Sequence, residues 1–272
     1  MLTFLLLLAS LLLPGCHRAG PASDVLRLAT TTTYLEAVAR DLLGTGLQIV
    51  RLAEPGTCPG HFDLRPSQVQ ELRGCRLLLR FDFQRALDAR LAHLFTKGPA
   101  VIEVAPGGGL SRPDRYLNAC RQAADQFVQL GWLTPAEAAS RVEDIARRLA
   151  TLASDATNHI AQAGLRGVPV LASGHQREFC EWLGLEVVAT FRGADTAGIH
   201  DLETALAAGK PAAVRLVIAN RPEGRRTADA LAARLGCAVV VLDNFPWVHD
   251  GGVRFDDLLQ GNVAALTGGV SR

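Results

Sequence analysis

From residue 24 onward, short aliphatic and β-branched runs alternate with stretches whose apolar residues recur at helical spacing. This pattern predicts strands at 25–30, 47–52, 76–81 and 100–104. It predicts helices between them at 34–43, 66–73 and 84–95, with Pro66 and Ser67 marking the start of the second. A βαβα order implies a parallel sheet covered by helices on both faces. The middle of the chain differs. Stretches 114–131 and 135–163 are helical, and in the second Val142, Ile145, Ala146, Leu149, Leu152, Ala153, Ala156 and Ile160 fall on one stripe. Thr134, Pro135 and Glu137 form a helix start, with an N-cap hydroxyl, a proline in the first position and an acid in the third. A helix of that length suits a rigid spine. Alternation then resumes, with strands at 168–172, 186–191, 214–219 and 238–242 and helices at 176–183, 201–208, 225–235 and 255–266. The expected fold class is α/β, two Rossmann-like parallel-sheet lobes joined by a long rigid spine helix. The expected boundaries are 24–112 for the N-terminal lobe, 113–165 for the linker and spine, and 166–272 for the C-terminal lobe.

The first residues follow a different logic. Positions 2–13 are almost all Leu, Phe and Ala and end in Leu13-Pro14-Gly15-Cys16. Twelve apolar residues are too few to span a bilayer but suit the apolar region of a signal peptide. The tetrapeptide resembles a bacterial lipobox, which makes 1–15 a cleaved signal and 16–23 a tether lipidated at Cys16. The implied location is extracytoplasmic, anchored by lipid to a bacterial membrane and facing the periplasm or the cell exterior. Cys58, Cys75, Cys120, Cys180 and Cys237 then remain, an odd number with no Cys-x-x-Cys spacing. They read as small buried hydrophobes with room for one disulfide, except Cys58.

Composition narrows the partners. Lys and Arg number 28 against 27 Asp and Glu, a formal net charge of +1, which does not favour a nucleic-acid binder. Arg221, Arg225 and Arg226 are the densest basic cluster and read as the solvated face of a helix. No Gly-x-Ser-x-Gly elbow and no phosphate-binding glycine loop occurs.

Open parallel sheets bind ligands at the carboxyl ends of their strands. Three potential metal ligands have such an address: His61 in the loop after 47–52, His175 after 168–172, and Asp243 directly after 238–242. Two imidazoles and a carboxylate suit zinc, and also manganese or iron. His93 and His200 read as structural, His249 as part of an exposed turn at 249–252, and Trp182 and Trp247 as core residues near the cleft.

At these positions the sequence resembles the zinc- and manganese-binding lipoproteins of ABC importers, the cluster A-I solute-binding proteins. The segment Gly60-His61-Phe62-Asp63-Leu64-Arg65-Pro66-Ser67 is similar to that family's first ligand loop and helix start. Ala172-Ser173-Gly174-His175 with Leu183-Gly184-Leu185, and Val241-Leu242-Asp243, are similar to the segments of its C-terminal lobe. The resemblance implies His61, His175 and Asp243 as ligands to a transported Zn2+ or Mn2+. It further implies an importer permease and its ATPase as partners, a monomeric binding protein and no catalysis. One departure is plain. The family's second N-lobe histidine is missing, because the corresponding stretch 105–114 contains glycines at 107–109 and no His. Cys58, three residues before His61, and Glu178, three after His175, are candidate additional ligands, with water or an anion as the alternative. Asp63 is expected to cap the helix at Pro66 or to orient His61. Two other readings stay open. The altered site can take a metal chelate or small organic ligand, or an open three-ligand zinc can serve a hydrolase with Glu178 as base.

Overall fold

The computed structural model describes residues 26–54, 57, 63–92, 98–250 and 252–269. Cys16, Cys58, His61 and His93 lie outside them, as does the expected signal segment. The N-terminal sheet comprises β1 (Arg27–Thr30), β2 (Gln48–Arg51), β3 (Leu77–Phe81) and β4 (Ala100–Val104). Its helices are α1 (Thr33–Leu43), α2 (Pro66–Leu72) and α3 (Ala86–Ala92), and α4 (Pro113–Gln129) follows the last strand. The spine α5 runs Pro135–Gln162. The second sheet comprises β5 (Pro169–Ser173), β6 (Glu186–Phe191), β7 (Leu216–Asn220) and β8 (Ala238–Leu242). It is served by α6 (Arg177–Trp182), α7 (Ile199–Gly209) and α8 (Arg226–Leu235). A short hairpin, β9 (Val248–His249) and β10 (Gly252–Val253), precedes the closing helix α9 (Phe255–Gly269).

Both four-stranded sheets are parallel and share one topology, β2-β1-β3-β4 and β6-β5-β7-β8. Alternate residues of the central strands enter different cores. Leu77, Leu79, Val170, Ala172, Leu216 and Ile218 face inward and join one apolar cluster with Ile145, Leu149, Ala156 and Ile160 of α5. Leu78 and Ala29 face a separate outer cluster in the first lobe, and Leu171, Val217 and Ala219 face another in the second. Both faces are therefore buried, as parallel sheets require. The spine helix lies in the shared inner core and packs on α4, α9 and α1.

The start of α5 has the expected geometry. Glu137 N–H donates to Thr134 Oγ1 at 3.2 Å, and Thr134 N–H donates to Glu137 Oε2 at 2.8 Å. Gly164, at φ +66°, follows its end. Among the described residues no helix is long and apolar enough to cross a membrane.

Two expectations need correction. Arg221 is not on a helix face. It opens a one-turn 3-10 helix, Arg221–Glu223, between β7 and α8. The described cysteines form no disulfide: Cys75, Cys120 and Cys180 are buried thiols and Cys237 a half-buried one. Burial raises the pKa of all four, so they resist ionisation.

Candidate metal-binding cleft

In each sheet the chain reverses direction of growth beside its first strand, and there the loops leaving two adjacent strands diverge to form a crevice. In the second lobe the crevice lies between β5 and β7. Leaving β5, the chain runs Ser173-Gly174-His175-Gln176; leaving β7, it runs Arg221-Pro222-Glu223. This topology brings His175 to Glu223, with Nε2 3.8 Å from Oε1. The imidazole is 66% exposed and the carboxylate 21%.

Glu223 is held in place. Ser173 Oγ donates a short hydrogen bond to Oε2, and Gly193 N–H donates to Oε1 at 3.3 Å. A Cβ at position 193 would come 2.7 Å from Glu223 Cβ, so this approach requires glycine. Ser173 Oγ also accepts the His175 N–H at 3.3 Å. One hydroxyl thus organises both residues. Below them the fully buried Gln176 donates to Asn220 Oδ1 at 3.1 Å and Asn244 Oδ1 at 2.9 Å, tying together the ends of β5, β7 and β8.

Asp243 follows β8 and has a rigid backbone. Its N–H donates to Asn262 Oδ1 at 2.8 Å, and its carbonyl accepts from Asn262 Nδ2 at 2.8 Å and from Ser111 Oγ at 2.9 Å. Ser111 comes from the segment before α4, so this contact crosses between the two halves of the chain. The Asp243 carboxylate accepts from Arg221 Nε at 2.5 Å, and the Arg221 guanidinium lies over the Trp247 ring, 5.6 Å from its centroid.

Glu178, the second residue of α6, has two cationic partners, Arg112 at 3.6 Å and Arg115 at 3.3 Å. A Cβ at Gly108 would overlap its carboxylate, and Gly109 at φ +70° lies against its Cβ. The stretch that lacks the histidine is therefore a glycine cradle for Glu178.

In the first lobe the equivalent crevice lies between β1 and β3. Buried Thr31 donates to Gln84 Oε1 at 2.7 Å across it, and exposed Phe83 stacks on Phe81. Asp63 does not cap α2. It is 97% exposed and pairs with Arg90 at 2.9 Å, while Gln68 Oε1 accepts the Arg65 N–H at 3.0 Å at the helix start. His200 and His249 are exposed, on α7 and β9. Trp182 packs half-buried against Phe179, and Trp247 is 40% exposed.

Among the described residues no group of three or more His, Cys, Asp and Glu side chains is arranged to hold a metal ion. The described donors are the His175–Glu223 pair and, beyond Arg221, Asp243. Sequence reasoning missed Glu223 and Arg221, although the strand-end rule that singled out His175 and Asp243 applies equally to the loop after β7. A cavity of about 590 Å³ between α5 and α9, lined by Leu152, Ala156, His159, Leu259 and Val263 among others, contains none of the candidate ligands.

No protein-family model matches the chain, and no curated protein matches it in sequence. Solved structures match its fold over 89–91% of the chain. A Mn-bound periplasmic metal binding protein from candidatus liberibacter asiaticus has a TM-score of 0.74 at 10% identity, over 89% of this chain and 98% of that one. ZnuA gives 0.71 at 12% identity, over 91% and 98%. The solute-binding protein FpvC from pseudomonas aeruginosa, solved with Mn2+, gives 0.73 at 14% identity, over 91% and 99%. The chain thus has the two-lobe fold of the periplasmic metal-binding proteins, as its sequence resemblance implies.

Proposed function

We propose that the chain is the extracytoplasmic solute-binding component of an ABC importer and captures a divalent transition metal, zinc first and manganese next, between its lobes. The observation that carries this reading is the exposed His175 imidazole beside a fixed Glu223 carboxylate at the strand crossover, in a fold shared with manganese- and zinc-associated proteins. Imidazole and carboxylate together suit both metals. His61 supplies the ligand from the β2–α2 connection, with Cys58 beside it in sequence as a further donor. Asp243 completes the set once Arg221 leaves it. Glu223 adds a C-lobe carboxylate to a site without the N-lobe histidine of 105–114, and Glu178 stays with its two arginines. Lobe movement around the ion would let a permease and its ATPase distinguish loaded from empty protein. The lipid on Cys16 would hold the binding protein at the membrane. The function is capture, not catalysis.

Zinc titration of the metal-stripped protein tests the ligand set. His175→Ala and Glu223→Gln are each expected to weaken zinc binding tenfold or more, about 1.4 kcal/mol per tenfold. Unchanged affinity in both would remove the C-lobe half of the site. A second reading, capture of an anionic chelate or small organic acid, is favoured by Arg112 and Arg115, which meet Glu178 of α6, and by Arg221 at the end of β7. It predicts binding of such a ligand that survives His175→Ala.

A further inference from the structure

We propose that Arg221 is a built-in competitor for the ligand site, a guanidinium that must leave Asp243 before this carboxylate can bind a cation. The inference rests on the metal-capture reading and adds to it a residue that sets affinity. Three observations carry it.

The Asp243 backbone is fixed beside the arginine. Its N–H and carbonyl are fixed by Asn262 and Ser111, and its side chain is only 17% exposed. Arg221 is the partner free to move. Its side chain is 45% exposed, and it rests on a Trp247 ring that is itself open to solvent. A guanidinium–carboxylate contact at 2.5 Å is a charge-assisted hydrogen bond, so an ion reaching Asp243 has to displace it.

Arg221 also shares a single turn with Glu223, with Pro222 between them restricting the backbone. This turn places a cation on Asp243 and an anion beside His175. A competitor of this kind imposes the same cost on every cation that binds Asp243, so it sets how tightly the site holds an ion.

The test is a zinc titration, in competition with a chromophoric chelator, on the full-length chain purified in mild detergent. Wild type, Arg221→Gln, Asp243→Asn and the double variant are compared. Arg221→Gln is expected to tighten zinc binding about tenfold. Asp243→Asn is expected to weaken it, and in the double variant the gain from Arg221→Gln should vanish. Trp247→Ala removes the ring beneath the guanidinium while leaving Arg221 in place. It should shift affinity the same way by a smaller factor, which keeps the test decisive should Arg221→Gln fold poorly. Zinc-binding wild type with unchanged or weaker affinity in both Arg221→Gln and Trp247→Ala would overturn the competitor role and leave metal capture standing. Wild type that binds no zinc would overturn both.

Discussion

Ser173, Glu223, Arg221 and Gly108 each have one local reason to be what they are. The Ser173 hydroxyl meets both the Glu223 carboxylate and the His175 N–H, so a residue that reads as the end of a strand also sets the geometry of two candidate ligands. Gly108 lies so close to Glu178 that any side chain would drive the carboxylate from Arg112 and Arg115. Gly108→Ala is therefore expected to cost under about 1 kcal/mol, because the carboxylate it displaces ends a flexible, partly exposed side chain and its ion pairs are solvated. Adding Glu178→Ala should cancel most of that cost, because the overlap disappears. Urea unfolding of both single variants and the double variant reads this coupling directly. Additive costs would show that the glycine serves some other purpose. At this scale the sequence was partly legible. His175 and Asp243 follow predicted strands and so declare an address. Glu223 and Arg221 were hidden because Arg221, Arg225 and Arg226 resemble the charged face of a helix. The turn that separates Arg221 from α8 is fixed by hydrogen bonds with Ser173 of β5, Gly193 after β6 and Asp243 after β8 that no local pattern reveals.

Elements were more legible than residues, since periodicity reports burial. The spine was readable from its stripe and its Thr134–Glu137 box, and the strands from continuous apolar runs buried on both faces. The β9–β10 hairpin was read only as a turn, because two-residue strands are too short for alternation to show. A charged lattice joins β3 and β4. Arg80 is paired in register with Glu103 and also bonds Asp88, and Arg85 reaches Glu103 from outside. Arg85 first, then Arg80, lowers the Glu103 pKa to about 2 from 4.5. A depressed carboxylate stabilises the fold fully above its unfolded pKa and loses that contribution as pH falls through the folded value. Wild type should therefore lose stability between about pH 4.5 and 2 more steeply than Glu103→Gln. Parallel slopes in acid unfolding would show that the pair contributes nothing there.

At the scale of the whole molecule, the two sheets do not carry wholly separate cores. Their inner faces merge around α5 into one cluster, and a polar clamp crosses it. Arg148 of the spine bonds Asp41 of α1 at 2.5 Å and also Asp256 of α9, and Tyr116 donates to Asp41 at 2.8 Å. Tyr116 and Phe255 stack beside the clamp with centroids 4.1 Å apart. Arg148→Ala leaves Asp256, 7% exposed, without its spine partner. The expected loss is about 2–3 kcal/mol in urea unfolding, below the roughly 3–5 kcal/mol of a fully buried pair because Arg148 is partly solvated. A variant as stable as wild type would show that the clamp is not structural. Such a frame permits small motions of the strand-end loops more readily than wide separation of the sheets, which suits a ligand as small as a single ion. In the proposed capture, one ion is held by both halves of the chain. The most direct test is calorimetric titration of zinc into the metal-stripped protein, compared with the His61→Ala, His175→Ala double variant. Tight one-to-one binding in wild type, lost in the double variant, is the result expected. Zinc binding equally weak in both proteins would contradict metal capture at its centre and leave the anionic-ligand reading in its place.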